Sequence, residues 1–179
     1  MPRGPEAWNV SFMKKFSTRY LAQAAIIAAV YTVLVLILTL LFPMGMINFG
    51  PVQMRASEAL TVLPYFTPAA IPGLFVGCIL SNVIGLATGG AAIDILIGSV
   101  ATLLAALGSY ALRRHKWLVP LPPVLINAFI VGPELYILFH AFPLWTQIAL
   151  VGAGQLIACY ALGMPLLLLL EKRKKMFSL

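Results

Sequence analysis

The residues able to do chemistry in this chain sit inside long apolar runs. The segment 49–66, FGPVQMRASEALTVLPYF, carries Arg55 and Glu58 three residues apart, a spacing that sets two helical side chains on one face. Asn82, Asp94, Asn127 and Glu134 follow, each flanked by aliphatic residues. In hydrocarbon-like surroundings an ionised side chain costs roughly 3 kcal/mol on insertion scales, so it persists where it has a partner or a task. Carboxylates accept N–H donors and hold cations, and an asparagine amide both donates and accepts. That set suits recognition of a small polar ligand. It does not suit bond-making, because no Ser or Cys nucleophile has a nearby base. No His/Cys/carboxylate spacing matches a metal site, and no GxxxxGKS/T loop is present for nucleotide hydrolysis. The expectation is a binding protein, not an enzyme, with no cofactor and no metal.

The elements that must position these groups follow from composition. Of 179 residues, 61% are hydrophobic and 9% charged, with a mean hydropathy of +0.99. Soluble domains carry about 25% charged residues, so the expected class is an all-α integral membrane protein. A crossing helix needs about 20 apolar residues. Residues 21–42, 68–86, 91–112, 118–140 and 144–170 fit, and 53–66 is a shorter apolar helix that makes six transmembrane helices in all. Pro43, Gly45, Gly50 and Pro51 break the chain after the first span, Thr67-Pro68 after the second, and Phe142-Pro143 before the last. Pro165 is expected to kink the sixth.

The net charge of +7 raises the question of nucleic acid, and the placement of the charge answers it. Every Lys and Arg except Arg55 lies in a tail or in the one loop holding Arg113, Arg114 and Lys116. Basic residues flanking spans mark the cytoplasmic side. Both tails are basic, so both termini are expected to be cytoplasmic, which requires an even number of spans. Fusing residues 53–87 into one helix would give five and part the tails. The resulting organisation is a cytoplasmic amphipathic arm at 1–20, a six-helix membrane domain at 21–171 and a basic cytoplasmic tail at 172–179. Cys78 and Cys159 fall within apolar runs and read as small buried hydrophobes.

In this topology Glu58, Asn82, Asp94, Asn127 and Glu134 come from four different helices yet share one depth zone, a polar pocket opening outward. Its three acids outnumber its one base, Arg55, and a net negative pocket favours a cationic or donor-rich ligand. Each residue also has a structural alternative. Arg55 and Glu58 could simply pair with each other, and Asp94 could interact with a helix dipole. Asn82 and Asn127 could join helices. Tyr136 and Trp145 suit an interfacial belt, although a planar ligand would use such rings, and Tyr136 is kept among the candidate binding residues. In the first span Ala24/Ala28 and Ala25/Ala29 form a small-residue stripe that permits close helix approach, either within the chain or to another membrane subunit.

The segment FGPVQMRASEALTVLP resembles the signature of the QueT family, substrate-binding (S) components of energy-coupling factor (ECF) transporters. The similarity extends through GLFVGCILSNVIGL, DILIGSVATLLAAL and NAFIVGPELY. The resemblance implies an S-component fold in a bacterial cell membrane and high-affinity binding of a queuosine precursor, a 7-deazaguanine such as 7-aminomethyl-7-deazaguanine. It implies three partners, an EcfT-like transmembrane coupling subunit and two cytoplasmic ATPases, and delivery of the ligand by toppling of the S component in the membrane. It also implies that Ala24, Ala25, Ala28 and Ala29 stand where the coupling subunit docks. Two alternatives are an S component for another vitamin or nucleobase and a membrane scaffold without a transport role.

Overall fold

The computed structural model describes residues 17–41, 46–49, 53–88 and 90–173. Most of the expected N-terminal arm and C-terminal tail, with Arg3, Lys14, Lys15, Lys174 and Lys175, lies outside the described residues, as does most of the expected 43–52 loop. The uninterrupted apolar run after Ser17 forms helix α1, Thr18–Leu41. Four further long helices follow: α2 (Ala70–Thr88), α3 (Ala92–Ala111), α4 (Lys116–Phe139) and α5 (Leu144–Glu171). All five are long and apolar enough to cross a bilayer. Among the described residues there is no strand.

The expected second transmembrane helix takes a different form. Gln53 to Arg55 are outside any helix, with Arg55 extended at φ −79° and ψ 99°, and Ala56–Tyr65 is a 3-10 helix. Pro64 lacks the N–H that an α-helix would use at that position, and Thr61-Val62 adds two β-branched residues. A 3-10 helix rises about 2.0 Å per residue against 1.5 Å for an α-helix. Its ten residues therefore cover about 20 Å instead of about 15 Å, which lets a short segment travel far through the bundle. Ser57 to Pro64 are all buried. Irregular backbone at membrane depth is tolerated where protein encloses it.

Contacts fix the direction of each element. Gln23 in α1 accepts a bond from Thr67 at 2.8 Å, Tyr31 meets Glu58, and Asn48 meets Val35 and Thr39. The 3-10 segment therefore runs antiparallel to α1. Helix α2 runs parallel to α1, with Gly73 against Ala24 and Gly77 against Ala28. The Asn82–Asp94 and Ser109–Val119 contacts reverse the chain into α3 and then α4, and Gly132 packs on Ile148 of α5. At one end of the bundle Glu171 accepts bonds from Tyr65 at 3.2 Å and Lys116 at 3.3 Å. The first and last described residues thus share an end.

Close approach between α1 and α2 depends on two glycines. A Cβ at Gly73 would lie 2.7 Å from the Ala24 carbonyl oxygen, and one at Gly77 would lie 2.8 Å from Tyr31 Cβ. The pairing of Ala24/Ala28 with Gly73/Gly77 is the small-residue packing that substitutes for a hydrophobic drive in lipid. It consumes half of the alanine stripe, while Ala25 and Ala29 face outward, exposed. The α-helical part of α4, Leu121–Phe139, has Pro120 at its N-cap and Pro122 and Pro123 in its first turn, where missing N–H groups cost nothing. It closes at His140 in the left-handed conformation, φ 48°. Within α5 the stretch Ile157–Leu162 widens to a π-helix. Pro165 follows it in Gly163–Glu171.

Candidate functional site

Leu, Ile, Val and Phe side chains lie exposed along the outside of α1 to α5, whereas the interior holds buried Arg55, Glu58, Asn82, Asp94, Asn127 and Glu134. Of the seven expected binding residues only Tyr136 stands apart. Its ring packs on His140 at 5.5 Å, near the end of α4.

Glu58 is the centre of the deeper half. One carboxylate oxygen accepts from the Tyr31 hydroxyl at 2.5 Å and from Thr102 at 3.4 Å, and the other accepts from Asn127 Nδ2 at 3.5 Å. The first turn of the 3-10 helix presents this side chain toward α1, α3 and α4 at once. Its backbone carbonyl accepts from Thr61 and from Cys159, and Cys159 belongs to the π-helical stretch of α5. Local π geometry of this kind often accompanies functional sites.

Arg55 organises the second half. Its guanidinium donates to Asn82 Oδ1 at 2.6 Å and to Cys78 Sγ at 3.5 Å, and it lies over the Phe49 ring with 5.2 Å to the centroid. Asn82 in turn donates to the Asp94 backbone carbonyl at 2.7 Å. Thr102 also lies 3.3 Å from Cys78 Sγ, which makes one continuous network of the two halves. Helix α3 approaches this network through Gly98, where a Cβ would lie 3.2 Å from Asn82 Nδ2.

The expected Arg55–Glu58 pair is not formed: among the described residues no ion pair within 4.0 Å joins them. The spacing rule assumes that both residues are helical, but Arg55 is the extended residue before the helix, so its side chain leaves toward α2. The capping alternative for Asp94 is realised, since its carboxylate accepts from the Ala91 N–H at 3.3 Å in the opening turn of α3. Asn127 joins α4 to the 3-10 helix through Glu58, and Asn82 joins α2 to α3. Glu134 is 5% exposed, and neither of its carboxylate oxygens has a hydrogen-bond partner. Asp94 and Arg55 are the charged groups facing it.

Sequence reasoning missed Tyr31, Cys78, Thr102, Cys159 and Phe49. One signal was available for Tyr31. A tyrosine at mid-span, far from either interface, carries a hydroxyl that needs a partner. Cys78 and Thr102 are types that occur in any apolar helix, and Phe49 reads as ordinary core.

An apolar exterior of five membrane-length helices around a continuous buried polar network defines a multi-pass membrane protein with an internal polar site. The model of the family described as QueT transporter matches residues 21–172, and the chain belongs to the QueT transporter family. It is similar to a queuosine precursor transporter of Lactococcus lactis subsp. cremoris (strain MG1363), with 32% identity over 105 residues, 58% of this chain and 57% of that protein. The match thus spans little more than half the length of that relative. No solved structure matches the chain.

Proposed function

We propose that the chain is the substrate-binding component of an ECF-type importer in a bacterial cell membrane, and that its ligand is a queuosine precursor of the 7-deazaguanine class, such as 7-aminomethyl-7-deazaguanine. The observation that carries the reading is the buried network itself: three carboxylates, two asparagines and one arginine inside an apolar bundle. A guanine-like edge presents N–H donors to a carboxylate, and its carbonyl and ring nitrogens suit an amide that donates as well as accepts. An aminomethyl group adds a cation for a second carboxylate. The related transporter's name points to the same ligand class.

The chemistry of transport is divided. This chain binds and releases, and ATP hydrolysis belongs to two cytoplasmic ATPases acting through a transmembrane coupling subunit. The outward-facing alanines Ala25 and Ala29 offer that subunit a flat docking face on α1. Ala24 and Ala28, expected on the same face, are engaged by α2 and serve the internal packing. The end bearing Lys116 and Glu171 is assigned to the cytoplasm by its basic residues.

Mass spectrometry of small molecules released from the purified protein tests the reading. A 7-deazaguanine is the expected release product. Recovery of a thiamine-like vitamin or another nucleobase in its place would reassign the ligand within the same transporter class. Saturable binding of no small molecule, in a monodisperse preparation, would contradict a binding role.

A further inference from the structure

At the end of the bundle that holds Glu171, the basic loop between α3 and α4 is docked onto the end of α5. Lys116 Nζ lies 3.3 Å from Glu171 Oε2, and the Tyr160 hydroxyl donates to the Trp117 carbonyl at 3.1 Å. These contacts bring the loop that carries Arg113 and Arg114 to the point where Lys172 and Arg173 follow Glu171. Glu171 is the one carboxylate at this end among the described residues, and both of its oxygens are taken, by Tyr65 and Lys116. Arg114, Lys172 and Arg173 are exposed, with no carboxylate partner among the described residues.

Arg113 is held in place. Its guanidinium lies 3.8 Å over the Tyr110 ring and donates one bond to the Tyr110 carbonyl at 3.2 Å. The charge is thereby fixed at the end of α3 with most of its N–H donors unused. Leu104, Leu107 and Ala111 are exposed along α3 before it, at spacings of three and four that set them on one helix face. Beyond the loop, Trp117 and Leu118 are 61% and 42% exposed, and tryptophan is favoured where hydrocarbon meets headgroups.

We propose that this end of the bundle is a binding site for an anionic phospholipid. Arg113 and Arg114 of the loop, with Lys172 and Arg173 of α5, receive the phosphate, and an acyl chain lies along Leu104 and Leu107. Basic flanks attract anionic headgroups diffusely; the fixed guanidinium and the docked loop make one localised site of them. Gathered cations beside exposed aliphatic surface match the two halves of a phospholipid. A soluble anion or an acidic protein segment would match only the first half. The inference is independent of what the buried polar network binds.

Native mass spectrometry of the full-length protein, released from mixed micelles holding phosphatidylglycerol and phosphatidylcholine in equal amounts, tests the site. The wild-type protein is expected to retain phosphatidylglycerol in preference. Arg114→Gln should lower the ratio of glycerol to choline adducts roughly fivefold, and the double variant Arg114→Gln, Lys172→Gln roughly 25-fold, as expected for one and two cations lost at a charged membrane surface. Retained phosphatidylcholine adducts show that each variant is folded. Arg113→Lys keeps the charge but loses the stacked planar fork, so it should also lower the ratio. Equal retention of the two lipids by the wild-type protein would overturn the proposal and leave the patch to an acidic protein surface. An unchanged ratio in the double variant would overturn it as well. A wild-type ratio in Arg113→Lys would reduce the site to diffuse surface charge, and displacement of phosphatidylglycerol by equimolar inorganic phosphate would make it a site for free anions; either result contradicts a built lipid site.

Discussion

Replacing Tyr31 by Phe removes one hydroxyl and no packing volume from a fully buried position. The lost bond is the one short contact to the Glu58 carboxylate, at 2.5 Å. The remaining donors are weak. Thr102 and Asn127 stand at 3.4 and 3.5 Å, at the outer limit of useful geometry. The single Thr102 hydroxyl hydrogen is also divided between Glu58 and Cys78. Tyr31→Phe should therefore destabilise the protein by about 1.5–3 kcal/mol, the cost of removing a donor from a buried charged acceptor. For a chain of this length each kcal/mol moves the melting temperature by about 2–4 °C, so the expected drop is roughly 3–12 °C. A thiol-reactive or scattering-based melt of the purified protein in detergent measures it. Thr102→Ser, which keeps the hydroxyl, serves as a companion with little expected change in the Glu58 contact. A Tyr31→Phe melting temperature within 1 °C of wild type would refute the claim that this hydroxyl is the main support of the Glu58 carboxylate.

Gly77→Val should cost about 1–3 kcal/mol by overpacking, because the added Cβ meets Tyr31 and the Ala28 backbone; thermal melts check it, and Tyr31–Glu58 geometry should suffer with it. Arg55→Ala removes the one buried base among the described residues, which faces three buried acids, and should cost about 3–5 kcal/mol, visible as loss of monodisperse protein on gel filtration. Arg55→Lys should recover only part of this, since a point charge reproduces neither the Asn82 fork nor the stacking on Phe49. Lys116→Ala should cost under about 1 kcal/mol, because the Lys116–Glu171 pair is one-third exposed on both sides, and its melt should overlay that of the wild type. Ala25→Leu and Ala29→Leu should leave ligand affinity within about twofold while reducing cellular uptake, since both positions face outward on α1 and lie away from the network.

Much of this organisation is legible in the sequence because lipid and charge impose simple rules. Long apolar runs delimit α1 to α5 to within a few residues, and the basic flanks give the shared end of the bundle that Tyr65, Lys116 and Glu171 define. The depth of Glu58, Asn82, Asp94, Asn127 and Glu134 follows from the same alternation of direction. The Arg55–Glu58 relation was not legible, because an i,i+3 argument holds only if both residues are helical. The extended conformation of Arg55 is set by how the 3-10 segment packs between α1, α3 and α5, a tertiary effect. The split of the alanine stripe depends likewise on Gly73 and Gly77 arriving opposite Ala24 and Ala28, and spacing within α1 alone cannot show which face meets them. Tyr136, two residues beyond Glu134, packs on His140 near the end of α4, a placement that residue type alone does not show.

The buried acidic network is proposed to bind one molecule of a 7-deazaguanine. Titration of 7-aminomethyl-7-deazaguanine into the purified wild-type protein, Glu58→Gln and Glu134→Gln by calorimetry measures it most directly. Saturable one-to-one binding to the wild-type protein and clear weakening in both variants are expected. Wild-type affinity retained by both variants would contradict it, because the ligand would then lie outside the network.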